Sequence, residues 1–261
     1  DGRVKHIVQN ITDPDIVPYI PDGIGNSTDR QRIPAVLIIP GGAFRRLVYN
    51  FEGEDVAKWL NSMGIAAFVL ECRLPSDEHD NAEDVPLIDA MRAMRVIRGR
   101  AQEFGIDEAK IGVMGFSAGG FMAALLSTAY ESDVYADYKY KDEYDKLSAR
   151  PDFAVCSYPV ISIDDCIEAG KRYMSEEQVL ERISDSKAKI LHKYNPDKLV
   201  RPDMPPVFIC ETDDDRTTLS ENSVGFYMAA RKAGVSAELH IFRTGGHGYG
   251  CGDDFAQTGE W

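Results

Sequence analysis

The sequence predicts an α/β fold, a mostly parallel central sheet with helices on both faces. Three observations predict it. Short β-rich apolar runs alternate with helical patterns along most of the chain. A length of 261 residues with 44% hydrophobic content suits one large domain with a single core. The run Ile111–Phe116 passes through a glycine-flanked serine straight into a helical pattern, the strand–turn–helix order of such sheets.

Taken in order, Ala35–Ile39 is the clearest strand, ended by Pro40-Gly41-Gly42. Glu52–Asn61 reads as a helix stopped near Gly64, and Ile65–Leu70 as the next strand. Pro86 suits the first turn of a helix reaching Phe104, with Leu87, Ala90, Met91, Met94 and Ile97 on one stripe and Gly105 closing it. Ile111–Phe116 is a strand and Ala118–Tyr130 a helix; Phe153–Tyr158 and Pro206–Cys210 are strands. Glu221–Ala233 is a helix ended by Gly234, Ala237–Phe242 the last strand, and Phe255 opens a closing helix.

Two segments break the alternation. Glu131–Pro151 is polar and rich in Tyr, Asp and Lys, a long surface loop with a helical turn. Ile161–Pro205 holds one helix around Glu176–Ile183 and a second around Asp185–Lys193. An excursion there lies above the carboxyl ends of the strands, where ligands bind in open α/β sheets. The expected organisation is one domain over 1–261 with a cap insertion at about 161–205.

A formal net charge of −14, with Asp and Glu dispersed, disfavours nucleic acid and anionic membrane as partners. No apolar run reaches the roughly 18–20 residues of a membrane span, so no membrane insertion is expected. No charged-then-apolar segment opens the chain, which begins at Asp1 without an initiator Met, so location is not read from this end. Five cysteines (Cys72, Cys156, Cys166, Cys210, Cys251) form no CxxC pair. Cys72, Cys156 and Cys210 sit in apolar runs and read as core, and nothing in the pattern supports a Cys156–Cys166 bridge.

The chemistry centres on Gly115-Phe116-Ser117-Ala118-Gly119, between a strand and a helix. A sharp turn there lifts the Ser117 hydroxyl clear of the sheet, and small residues two before and two after avoid clashes. The next helix starts at the site, so the Ala118 amide can face a developing oxyanion. The serine needs a base. Of His6, His79, His192, His240 and His247, only His247 lies in a glycine-rich loop just past the last strand. The acid belongs between them, after a strand, and Pro206–Cys210 leads to Asp213, Asp214 and Asp215. Spacing alone leaves all three open, the two not chosen being turn formers or caps. The glycine-rich Pro40–Phe44 supplies a second oxyanion donor from Gly42 or Ala43. No phosphate loop, HExxH or EF-hand pattern occurs, and adjacent aspartates lack the spacers of a hard-cation site.

These residues resemble those of the acetylxylan esterase and feruloyl-esterase-like group of the α/β-hydrolase (esterase/lipase) superfamily. The resemblance covers nearly the whole chain. It rests on PGGAF at Pro40–Phe44, PLIDAMRAMRVIR at Pro86–Arg98 and FGIDEAKIGVMGFSAGG at Phe104–Gly120. It continues in SARPDFAVCSYPVIS at Ser148–Ser162 and ENSVGFYMAARKAGVSAELHIFRTGGHGYG at Glu221–Gly250. It implies the α/β-hydrolase fold, with Ser117 as nucleophile, His247 as base and, six residues before Glu221, Asp215 as acid. It implies oxyanion donors at Gly42 or Ala43 and at Ala118. Members act on acetyl or feruloyl esters of plant polysaccharides or on simple carboxylic esters. Many are exported, which makes a secreted or periplasmic location the expectation.

Three positions depart from the family. Ala43 stands where a third glycine is common, Cys72 where a tyrosine is common, and Glu211-Thr212 where His-Gly or a similar turn is common. Some relatives are named xylanases, yet no paired-carboxylate framework of a glycosidase stands out in this chain.

The expected activity is serine carboxylic-ester hydrolysis through an acyl-enzyme on an acetylated xylan fragment or related sugar ester, with no cofactor or metal. Activity of such a triad falls as the imidazole takes a proton, below roughly pH 6–7. Tyr158, Tyr194 and Phe44 are candidates to line the pocket or to belong to the core. Rival readings are a peptidase or amidase of the same fold, which ordinarily carries a large extra domain, and a binding module that has lost catalysis.

Overall fold

The computed structural model describes residues 4–23, 32–77, 79–136, 138–184 and 189–251. The expected closing helix from Phe255 lies outside these residues. Among the described residues the strands are β1 (Ile7–Val8), β2 (Asp15–Tyr19), β3 (Ile33–Ile39), β4 (Leu47–Val48), β5 (Ala66–Glu71), β6 (Ile106–Phe116), β7 (Ala154–Ser157), β8 (Val207–Thr212) and β9 (Ala237–Phe242). Helices are α1 (Asp55–Ser62), α2 (Val85–Gly99), α3 (Ala101–Phe104), α4 (Ala118–Ala129), α5 (Ile163–Tyr173), α6 (Glu176–Ser184), α7 (Lys189–Lys193) and α8 (Ser220–Lys232).

Seven strands form the main sheet in the order β2-β5-β3-β6-β7-β8-β9. All pair in parallel except β2, which runs antiparallel to β5 at the edge. This is the α/β-hydrolase topology. Continuous apolar runs such as β3 and β5 are buried on both faces, as parallel strands require. A larger core packs α2 and α4 on one face, around Phe121, Met91 and Leu125. A smaller one packs α1 on the other, around Val56, Leu60, Val69 and Phe116.

The helix expected to run unbroken to Phe104 divides at Arg100, and Gly105 closes it at φ 69° in the left-handed region. β6 begins earlier than expected, at Ile106, with its register shifting before Ile111 takes up pairing with Ala35. The loop after α4 contains two short helical turns, Asp133–Tyr135 and Glu143–Lys146. Arg92 of α2 pins this loop through a fork to Asp142, at 2.8 and 2.6 Å. Cys72, Cys156 and Cys210 are buried and free.

Between β7 and β8 the inserted cap carries α5, α6 and α7. α5 is a further helix, beyond the two expected in this segment. Gly170 in α5 marks its close approach to α6: a Cβ there would meet Val179 at 2.8 Å. The cap's first residues are held by Asn222 of α8, whose Oδ1 accepts from the Ile161 and Ser162 amides at 2.9 and 3.2 Å. At its far end Lys193 donates to Asp84 at 2.7 Å, and the Tyr194 hydroxyl donates to the same carboxylate.

Candidate active site

β6 ends at Phe116 and α4 begins at Ala118, so Ser117 alone makes the turn between them. Its backbone sits at φ 54° and ψ −116°, a strained conformation that costs roughly 1–3 kcal/mol and persists only where the surroundings fix it. Here the surroundings are close. A Cβ on Gly115 would stand 2.0 Å from the Gly119 carbonyl oxygen, and one on Gly119 would stand 1.9 Å from that of Ile39. The Ser117 amide is tied to the Ser157 carbonyl of β7 at 3.0 Å. The first amides of α4 have no preceding turn to bond to, which leaves the Ala118 N–H available at the helix start.

β9 lies three strands from β6, about 14 Å at ordinary strand spacing. The His247 imidazole therefore has to be carried back by the loop after Phe242. It arrives with Nε2 2.9 Å from Ser117 Oγ and Nδ1 2.6 Å from Asp215 Oδ2. Asp215, past the end of β8, is buried and accepts from the Thr217 amide (2.7 Å), the Thr218 amide (3.0 Å) and the Thr218 hydroxyl (2.9 Å). Burial pushes its carboxyl up. His247 and the two backbone amides outweigh burial and hold it below the ordinary range, so it stays ionised beside the imidazole.

The neighbouring aspartates do other work. Asp214 accepts from the Gly245 and Gly246 amides at 2.9 and 2.8 Å and so anchors the loop that carries His247. Asp213 accepts from the Ser220 hydroxyl at the start of α8. Of the three, Asp215 is the one in contact with the imidazole.

The loop after β3 runs through Gly42 to Ala43 and Phe44, both at φ 58°. The Gly41 amide donates to Glu52 Oε2 at 2.8 Å, so this amide is engaged inside the protein. Gly42 is half-buried and Ala43 exposed, beside a small recess between this loop and α4. Phe44, Leu74, Pro86, Ala118 and Met122 are among the residues lining it. Cys72, which replaces the family's tyrosine, also lines it, and burial raises its thiol pKa well beyond the ordinary range.

Sequence reasoning missed several groups around this centre. Glu52 is buried in one wide helical turn over Asn50–Glu54, which the sequence reads as the outer part of an ordinary helix. Its Oε1 accepts from the Tyr158 hydroxyl at 2.9 Å. The Tyr158 oxygen accepts in turn from the Gly250 amide at 3.0 Å, and its ring packs edge-on against His247 with centroids 5.1 Å apart. Glu211, fully buried on β8, is the second. Burial first, then the charge of Asp215 beside it, push its carboxyl up to about 9, so it is neutral at pH 7. The spacing carried no signal for either. The departure from the family at Glu211 was visible, but its burial was not.

The remaining histidines stand apart. His79 bonds the Ile11 carbonyl and His240 faces Glu238 on β9. Tyr194 turns out to clamp the cap to Asp84, and Tyr158 is a buried strut. Of the three pocket candidates, Phe44 borders the recess, its ring packed edge-on against Phe121. Among the described residues, no three His, Cys, Asp or Glu side chains are grouped to hold a metal ion, and no helix is long and apolar enough to cross a membrane.

An acetylxylan esterase of Xylanibacter ruminicola is 31% identical over 223 residues, 85% of this chain and 42% of that protein. An endo-1,4-beta-xylanase B of Butyrivibrio fibrisolvens is 31% identical over 227 residues, 87% of this chain and 34% of that protein. The chain thus spans less than half the length of either. Among solved structures, an acetyl ester-xyloside bifunctional hydrolase from Caldicellulosiruptor lactoaceticus superposes with a TM-score of 0.73 at 34% identity, covering 100% of this chain and 94% of that one. The BD-FAE family model matches residues 24–229, and with the fold described above this places the chain in the BD-FAE family, a serine-esterase group of the α/β-hydrolase superfamily.

Proposed function

We propose that this chain deacetylates xylan or a related plant sugar ester through an acyl-enzyme on Ser117. The observation that carries the reading is the unbroken hydrogen-bonded line from Ser117 Oγ, at the N-terminus of α4, through His247 to the ionised Asp215.

In this scheme Ser117 Oγ attacks the ester carbonyl carbon as its proton passes to His247 Nε2. Asp215 holds Nδ1–H and stabilises the imidazolium. The Ala118 amide and that of Gly42 or Ala43 donate to the tetrahedral oxyanion. Collapse breaks the bond to the alcohol, which leaves with the proton from Nε2. Water, deprotonated by the same nitrogen, attacks the acyl-enzyme and releases the acid. The small apolar recess beside Ala118 favours a short acyl group such as acetyl. The names of the relatives support an acetylated xylan backbone.

The test is acetate release from acetylated xylan by this protein and its Ser117→Ala variant. Release by the parent and none by the variant is expected. Hydrolysis of p-nitrophenyl acetate without acetate release from xylan would retain the chemistry and reject the polymer.

A further inference from the structure

Three loops that meet at the site come from distant parts of the chain, and one side chain touches or reaches all of them. The Glu52 carboxylate accepts from the amide of Gly41 in the loop after β3 at 2.8 Å. It also accepts from the Tyr158 hydroxyl, in the loop after β7, at 2.9 Å. Tyr158 passes the contact on to the histidine loop through the Gly250 amide at 3.0 Å, and its ring lies against His247.

The backbone shows why a strut is needed. Ala43 and Phe44 both hold φ 58°, a region that costs a non-glycine residue about 1–2 kcal/mol, and Tyr158 holds φ 36°. A loop with two such residues in a row has other conformations to relax into unless its start is fixed. Glu52 fixes that start at Gly41, one residue before the predicted oxyanion donors. The fixing is close: a Cβ on Gly41 would stand 2.7 Å from Glu52 Oε2 and 2.9 Å from Ser117 Cβ. The wide turn over Asn50–Glu54, in which the Asp55 amide bonds the Asn50 carbonyl, brings Glu52 to the interior. Such turns inside helices often serve functional sites.

We infer that Glu52 is a positioning residue for ester hydrolysis, holding the oxyanion loop against the serine and, through Tyr158, holding the histidine loop in register with it. The inference rests on the serine-esterase reading of the site. Glu52 touches no reacting atom. Its effect falls on the step in which charge develops on the carbonyl oxygen, more than on binding of the ground state.

The experiment is steady-state hydrolysis of p-nitrophenyl acetate by the parent, Glu52→Ala, Glu52→Gln and Tyr158→Phe. Loss of a single oxyanion donor costs roughly 10²–10³ in kcat, so a misplaced donor in Glu52→Ala is expected to cost about 10–100-fold in kcat with KM within about twofold. Glu52→Gln keeps an acceptor for the Gly41 amide and is expected to recover most of the loss. Tyr158→Phe keeps the Gly41 contact and breaks the link to Gly250, so its kcat falls less than that of Glu52→Ala. If Glu52→Ala does not fold, the Gln and Phe variants carry the test through the same kcat and KM split. A lowered melting temperature with kcat unchanged in whichever variants fold would make the strut merely structural and overturn the inference. So would a loss confined to KM. An inactive parent would instead remove the esterase reading on which the inference stands.

Discussion

The floor of the site and the inserted cap are built differently. The floor, made of the Ser117 turn and the loop after β3, is built on strained backbone braced from behind by the buried Glu52. It has positive φ at Ser117, Ala43 and Phe44, glycines at 115 and 119 where an added Cβ would stand about 2 Å from a backbone carbonyl oxygen, and the buried Glu52 carboxylate on the Gly41 amide. The cap is tied to the body by side chains. Asp84 receives Lys193 and Tyr194, Arg172 pairs with Glu221 at 2.8 Å, and the Arg216 guanidinium lies over Tyr173 at 5.6 Å. On the proposed esterase reading, changes in the floor are expected to act on every ester alike, and changes in the cap mainly on the polymeric substrate.

The sharpest way to break this division is to remove the proposed catalytic line itself. Ser117→Ala or His247→Ala should lower kcat on any ester by about 10⁴-fold or more, because members of such a unit fail together. Asp215→Asn should cost nearly as much, about 10³–10⁴-fold, with KM little changed. The other aspartates sharpen the assignment. Asp214→Ala frees the loop at Gly245 and Gly246 and should cost about 10-fold in kcat, while Asp213→Ala should stay within about twofold. Equal losses at all three positions, measured on p-nitrophenyl acetate, would contradict the geometry.

How much of this was legible in the sequence varies with the kind of signal. Ser117 and His247 were readable because their types and settings are rare: a serine between strand and helix, a histidine in a glycine-rich loop past the last strand. Asp215 was not separable from Asp213 and Asp214 by spacing, since the turn after β8 decides which one meets the imidazole. The resemblance chose it. β3, β5 and β9 were legible from their apolar runs or alternation. β1 and β4 are two residues each, too short to leave a pattern, and β2 carries Pro18, tolerated only because the strand is at the edge. Glu52 and Glu211 were invisible as buried groups, because a carboxylate in a sequence reads as surface until its neighbours are known.

Glu211 offers a smaller test, on stability. Its folded value of about 9 lies above the ordinary 4.5, so between these the unfolded chain ionises the group and the folded one does not. The stability from its neutral form is full below 4.5 and is lost as pH rises through 9. Glutamine does not titrate. Glu211→Gln should therefore gain on the parent in urea denaturation from about pH 5 to about pH 9, by up to about 1.4 kcal/mol per pH unit. A gap independent of pH would contradict a neutral Glu211.

The cap should show the smallest effect on chemistry. Asp84→Ala releases both tethers at the end of α7. It should raise KM for acetylated xylan several-fold while leaving kcat on p-nitrophenyl acetate within about twofold. A comparable loss on both substrates would erase the distinction between floor and cap.

The most direct test of the central claim is covalent labelling with a fluorophosphonate, followed by peptide mass spectrometry. A single adduct on the peptide bearing Ser117, absent in Ser117→Ala and much slowed in His247→Ala, is the expected result. Ester hydrolysis that survives with Ser117 unlabelled, or an adduct on another residue, would contradict it.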